Sequence, residues 1–131
     1  MELKNYQEKV LEDFRIYLNL LSRNKDLSQI WNEYKAIKAS DEIYGDYNDD
    51  KTSNIARICY KVPTGGGKTI LAMSSISIYY DEYLGKDNGI VVYLVPNEAI
   101  YTQVLNALKD PNHHYRKALE VVAKRSKSMK N

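Results

Sequence analysis

Residues 58–71 read Ile58-Cys59-Tyr60-Lys61-Val62-Pro63-Thr64-Gly65-Gly66-Gly67-Lys68-Thr69-Ile70-Leu71. A β-branched and aromatic run stops at Pro63, three glycines follow, and Lys68-Thr69 opens an apolar stretch of helical character. Strand, glycine turn and helix N-terminus, in that order, are what a phosphate-binding loop requires. Gly65, Gly66 and Gly67 permit positive φ and keep Cβ atoms out of the way of a ligand. Their N–H groups can form an anion-binding nest, and the positive end of the following helix adds to the same field. In this reading Lys68 meets the β- and γ-phosphates as a point charge, and the Thr69 hydroxyl ligates Mg²⁺. The plainer reading is a glycine-rich hairpin followed by a chance Lys-Thr. It makes no use of the strand signal before the glycines or the helix signal after them.

Working outward, residues 55–62 alternate, with Ala56, Ile58, Tyr60 and Val62 on one face and Ile55, Arg57, Cys59 and Lys61 on the other, which predicts a strand. From Lys68 to Leu84 apolar residues lie nearly all round a helical wheel, interleaved with Ala72, Ser74, Ser75 and Ser77. That pattern predicts a largely buried helix whose small residues approach a sheet closely, ended by Gly85 in a left-handed cap. Ile90-Val91-Val92-Tyr93-Leu94-Val95 is a continuous apolar run, the pattern of a parallel strand covered on both faces. Strand, helix and strand make one βαβ unit with a right-handed crossover. Pro96-Asn97 stops the second strand, and Asn97 can cap a helix over 98–109 that turns Ile100, Val104, Ala107 and Leu108 inward. The expected fold class is therefore α/β: a partial P-loop domain with parallel strands over 55–131, preceded by an N-terminal segment over 1–54.

That N-terminal segment carries two helical patterns. Residues 5–21 place Val10, Leu11, Phe14, Tyr17, Leu18 and Leu21 at helical spacing, with Glu8, Glu12, Asp13 and Arg15 on the other face. Residues 28–39 place Ile30, Trp31, Tyr34 and Ile37 likewise. Trp31, the single tryptophan, suits a packing anchor against the first helix; spacing gives no support to a base-stacking role. Residues 40–54 lose periodicity and become acidic around Gly45, which predicts an exposed loop. Their carboxylates lack ordered metal-ligand spacing.

The charge balance, Lys+Arg 19 against Asp+Glu 17, is near neutral and does not by itself announce a nucleic-acid partner. Its distribution is uneven. Asp41, Glu42, Asp46, Asp49 and Asp50 crowd one stretch, and Arg116, Lys117, Lys124, Arg125, Lys127 and Lys130 crowd another. The basic run suits a nucleic-acid-facing patch or a solvated end. The single cysteine, Cys59, excludes an internal disulfide and a cysteine-based metal cluster. Its place in the predicted strand suits a small buried hydrophobe. His113 and His114 follow a turn at Pro111-Asn112 and have no partner at metal spacing. No apolar signal region opens the chain and no run is long enough to span a bilayer, so the expectation is a cytoplasmic protein without membrane contact.

The loop departs from Gly-x-x-x-x-Gly-Lys-Thr at one point: Val62 stands where that pattern has its first glycine. Pro63-Thr64-Gly65-Gly66-Gly67-Lys68-Thr69 instead resembles motif I of superfamily-two helicases and translocases, and within them the helicase-type Res subunit of type III restriction enzymes. Two further stretches carry the resemblance. Tyr6-Gln7 is similar to the aromatic-Gln pair of that superfamily, which implies that Gln7 reads the adenine edge; a carboxamide pairs a donor with an acceptor for that purpose. Pro96-Asn97-Glu98-Ala99-Ile100-Tyr101-Thr102-Gln103 resembles motif Ia, with Asn97 in place of the usual threonine. The resemblance implies a RecA-like motor lobe that binds ATP and Mg²⁺ through Gln7, Thr64, Gly65, Gly66, Gly67, Lys68 and Thr69, with Thr69 on the metal. It implies DNA contact at Pro96, Asn97 and Gln103, where a strand end and a helix start suit a strand phosphate.

The resemblance covers residues 6–103 and reaches only the first motifs. An Asp-Glu pair at the end of a further apolar strand (the Walker B carboxylates) has no counterpart, since Asp81-Glu82 falls inside a predicted helix and Asp41-Glu42 follows one. No Gln-x-x-Gly-Arg-x-x-Arg stretch supplies an arginine finger. The expectation is the N-terminal portion of a DNA-dependent ATPase that hydrolyses ATP only together with the rest of the motor, with a modification subunit as a further partner. Two other readings use the same loop: a small P-loop kinase, against which Val62 counts, and a non-enzymatic interaction module with a vestigial loop.

Overall fold

The computed structural model describes residues 3–38, 55–63, 65, 67–85 and 89–120. The acidic stretch 40–54 and the basic run from Lys124 onward lie outside the described residues, as do Thr64 and Gly66 of the loop.

The organising element is the first helix, α1 (Asn5–Arg23). Its apolar positions spread over more than one stripe, so two different neighbours can cover it. Gln7, the third helical residue, reaches back to accept from the Lys4 N–H at 2.9 Å, closing one of the open donors of the N-terminus. At the other end the Asn24 N–H bonds the Leu20 carbonyl. The chain then turns, and the Asp26 carboxylate accepts from the Ser28 and Gln29 N–H groups to start α2 (Leu27–Lys38).

One side of α1 meets α2 through Tyr17, Ile30 and Tyr34, with Leu20, Leu27 and Trp31 around them. Tyr17 and Tyr34 meet edge to face with ring centroids 5.4 Å apart. Trp31 packs against this cluster, as its spacing predicts. The other side of α1 meets α3 (Lys68–Ile78) through Leu11, Leu18, Leu71 and Ile78. Leu21 touches both clusters. A further contact comes from the C-terminal side, where the Ser77 hydroxyl donates to the Ala118 carbonyl of the helical stretch at 114–120. The last helix of regular length, α4 (Glu98–Lys109), is capped by Asn97, whose Oδ1 accepts from the Ile100 N–H at 2.9 Å.

The α/β expectation does not hold: among the described residues there is no strand and no sheet, and the architecture is helical. Residues 55–62 and 90–95, read as parallel strands, enter no ladder, so the partial P-loop (RecA-like) sheet and its βαβ crossover are absent among the described residues. The physical reason is that β-branched composition supplies propensity and a face but not a partner. A strand is defined by the inter-strand bonds that satisfy its backbone, and a lone pair of strands is marginal at best in water. Residues 55–63 lie across the helices instead. Ile58 packs on the α1–α2 cluster and Val62 on the α1–α3 cluster. Between them Tyr60 meets Phe14 edge to face and hydrogen-bonds the Tyr34 hydroxyl at 3.1 Å. The period-two alternation is thus correct while the ladder is not. Cys59 shares the outward face with Arg57 and Lys61 and is exposed, correcting the expectation of a buried thiol. Helix α3 gains its cover from α1 and the 114–120 stretch rather than from a sheet.

Beyond Ile78 the helix widens into a π-helical continuation, Tyr79–Leu84, closed by Gly85 at φ 61°. It stacks Tyr83 on Tyr79 at 5.3 Å and sets Glu82 against Arg15 at 3.1 Å. Both partners of that ion pair are substantially exposed, which holds its contribution to about 1 kcal/mol or less.

Tyr17 has a consequence for stability. Burial, then Tyr34 and Tyr83, raise its pKa above the ordinary 10.0. A raised folded-state pKa means the folded chain resists losing this proton. Its contribution is complete below the unfolded pKa of about 10 and is lost as pH rises through the folded value. Urea unfolding midpoints are therefore expected to fall more steeply above pH 10 for this chain than for Tyr17→Phe. Parallel curves for the two proteins would contradict this.

Candidate phosphate-binding site

The loop is held at both ends by the core. Val62 packs against Leu11, Leu18, Leu71 and Ile78 before Pro63, and Ile70 and Leu71 are buried directly after Thr69. Gly65 and Gly67 both take left-handed backbone, at φ 77° and 76°. The first backbone bond of α3 runs from the Leu71 N–H to the Gly67 carbonyl at 3.1 Å. The N–H groups of Lys68, Thr69 and Ile70 thus have no acceptor within the helix. No side chain caps Gly67, whereas α1 is closed by Gln7 and α4 by Asn97. Lys68 is exposed and Thr69 is half-buried. Helix-start N–H groups without a helical acceptor, one exposed cation and one hydroxyl are donor types that a polyphosphate and its metal use.

Gln7 is brought to this loop from the first turn of α1. It is only 2% exposed, and a Cβ on Gly67 would run into its Nε2. The positive φ of Gly67 is the firm reason for glycine there, since the amide lying against it is the end of a flexible side chain that can shift. By contrast a Cβ on Gly65 would meet nothing within 4 Å. Sequence reasoning found Gln7 through a motif but missed its contact with Gly67. A glutamine three positions into a helix carries a capping signal, yet nothing local says which loop it will touch.

Pro96, Asn97 and Gln103 are all exposed, with the Asn97 carboxamide oxygen committed to the α4 N-terminus. Helix α4 makes no extensive contact with α1 or α3 among the described residues. Asp81 and Glu82 sit on the π-helical segment at the end of α3 opposite Lys68. Among the described residues no group of three or more His, Cys, Asp or Glu could hold a metal, and no helix is long and apolar enough to cross a membrane.

Comparison with known families gives one result with this geometry in view: the model described as Type III restriction enzyme, res subunit, matches residues 1–131. No curated protein and no solved structure matches the chain.

Proposed function

Because the chain belongs to the family of type III restriction enzyme res subunits, we propose that it provides the ATP-binding region of a DNA-dependent, helicase-type ATPase. The observation carrying this reading is the loop itself: left-handed Gly65 and Gly67 leading into a helix start with no side-chain cap and Lys68 exposed beside it. In this reading Thr64, Gly65, Gly66 and Gly67 surround the phosphates and Lys68 neutralises the terminal ones. Thr69 contributes its hydroxyl to Mg²⁺, whose other ligands are phosphate oxygens and water. The nucleotide supplies the phosphoryl chemistry; these residues bind and orient it. Gln7 stands beside the loop, and Pro96, Asn97 and Gln103 offer a separate polar surface for a strand phosphate of DNA. The family's association with a modification subunit supports the same partner for the assembly this chain serves.

The test is equilibrium binding of Mg²⁺–ATP. Lys68→Ala is expected to abolish measurable affinity while leaving the far-UV spectrum unchanged, because an exposed lysine contributes nothing to the core. Single-stranded DNA is expected to tighten nucleotide binding by the unmutated chain, which neither a small-molecule kinase nor a vestigial loop would show. Equal binding by the mutant would place the nucleotide elsewhere.

A further inference from the structure

We propose that the cavity at the end of α1 and α3 away from the glycine loop binds a small aromatic carboxylate. The cavity encloses about 580 Å³, within the roughly 300–1,000 Å³ of small-molecule sites. One wall is the π-helical segment, where Tyr79 and Tyr83 stack at 5.3 Å with their ring planes 25° apart. Such π-helical turns are rare and concentrate at functional sites. Leu21 lines the cavity from the last turn of α1, Leu27 from the start of α2, and Ile55 from the extended segment over 55–63. Four separate parts of the chain therefore meet here.

The polar groups of the cavity select the charge of its ligand. Lys25 is the one charged residue among those lining it, and it is exposed. The adjacent Asp26 carboxylate is turned to the start of α2, accepting from the Ser28 and Gln29 N–H groups at 3.1 and 3.2 Å. Asn24 spends its carboxamide oxygen on the Asp26 N–H at 3.0 Å, so its NH₂ is the end that donates. An ammonium and an amide N–H are donors that suit a carboxylate. Two tyrosine rings and three aliphatic side chains suit a flat apolar body beside it. A bare phosphate would leave the rings uncovered, and a cationic ligand would be repelled by Lys25.

The experiment is an NMR-detected titration of the full chain with 2-naphthoate, and with neutral 2-naphthalenemethanol, with melting curves as a folding control. The carboxylate is expected to bind with a dissociation constant of about 1 mM or tighter, the affinity its size supports. Lys25→Met is expected to weaken 2-naphthoate about fivefold, the scale of one exposed ion pair. The same variant should bind the alcohol as the unmutated chain does. Ala56→Trp, which fills the cavity from an exposed position outside the core, is expected to abolish binding of both. Should Ala56→Trp fail to fold, Lys25→Met carries the test, since an exposed lysine between two helices adds nothing to the core. Lys68→Ala, and Val92→Lys combined with Leu94→Lys, are expected to retain full affinity for 2-naphthoate. No saturation at about ten times the expected constant would overturn the proposal, as would equal affinity in Lys25→Met. Loss of binding in Lys68→Ala would place the carboxylate at the glycine loop, and loss in the Val92 and Leu94 double variant would place the rings on the run at 90–95. Either result also overturns it.

Discussion

Steady-state phosphate release from saturating Mg²⁺–ATP by the 131-residue chain is expected to stay near background, with or without single-stranded DNA. A phosphate loop positions the nucleotide and neutralises ground-state charge. Turnover further requires a water held in line and charge stabilisation in the transition state. The one Asp-Glu pair after the loop in sequence is Asp81-Glu82, and the fold carries it away from Lys68. Asp81 stands thirteen positions beyond Lys68 along the helix, roughly 20 Å at the usual rise. Glu82 is engaged by Arg15 at 3.1 Å. Arg15 itself lies on α1 beside that far end and is no candidate for the terminal phosphate. An arginine finger alone contributes about 10³–10⁵ in rate, so the shortfall is large compared with any effect of loop geometry. Robust turnover that vanishes in Lys68→Ala would overturn this expectation. The general base would then have to be sought among Asp81, Glu82 and the acidic stretch 41–50.

The helices and the loop were legible in the sequence because their signals are local. Helix α4 runs over the residues its periodicity and Asn97 cap specify, and Gly85 closes the extension of α3 where a left-handed cap was expected. Gly65 and Gly67 before Lys68 likewise take the positive φ that glycine permits. What failed was non-local. Ile58, Tyr60 and Val62 announced an inward face, and they have a half-buried one, but the partner is the surface of three helices, α1, α2 and α3. Nothing in an alternating run distinguishes a neighbouring strand from a helical surface, since either can receive side chains two residues apart. The π-helical widening at Tyr79–Leu84 had no sequence signal beyond its tyrosines. The meeting of Gln7 with Gly67 depends on how α1 and α3 pack, which no single motif records.

The run at residues 90–95 has the largest expected effect on solution behaviour: the chain should bind a hydrophobic dye and elute larger than a 15.2 kDa monomer. Ile90, Val92 and Leu94 are 94%, 75% and 87% exposed, while Val91 and Tyr93 between them are 48% and 39%. That alternation is the mark of an extended segment with one face toward the molecule and the other in water. No charge interrupts residues 89–97, although a flanking or inserted charge is how exposed apolar segments are commonly protected. Burying three such side chains yields about 1.5–3 kcal/mol each, doubled when two copies meet through the same face. Association costs about 4–15 kcal/mol in lost freedom, so the two terms nearly balance and self-association should be weak and concentration-dependent. Replacing Val92 and Leu94 together by lysine should abolish both dye binding and the concentration dependence. The far-UV spectrum should be unaffected, because neither side chain contributes to the core. A sharp monomeric peak at all concentrations, with no dye bound, would mean that this run is covered in solution and that the core is larger than the helices account for.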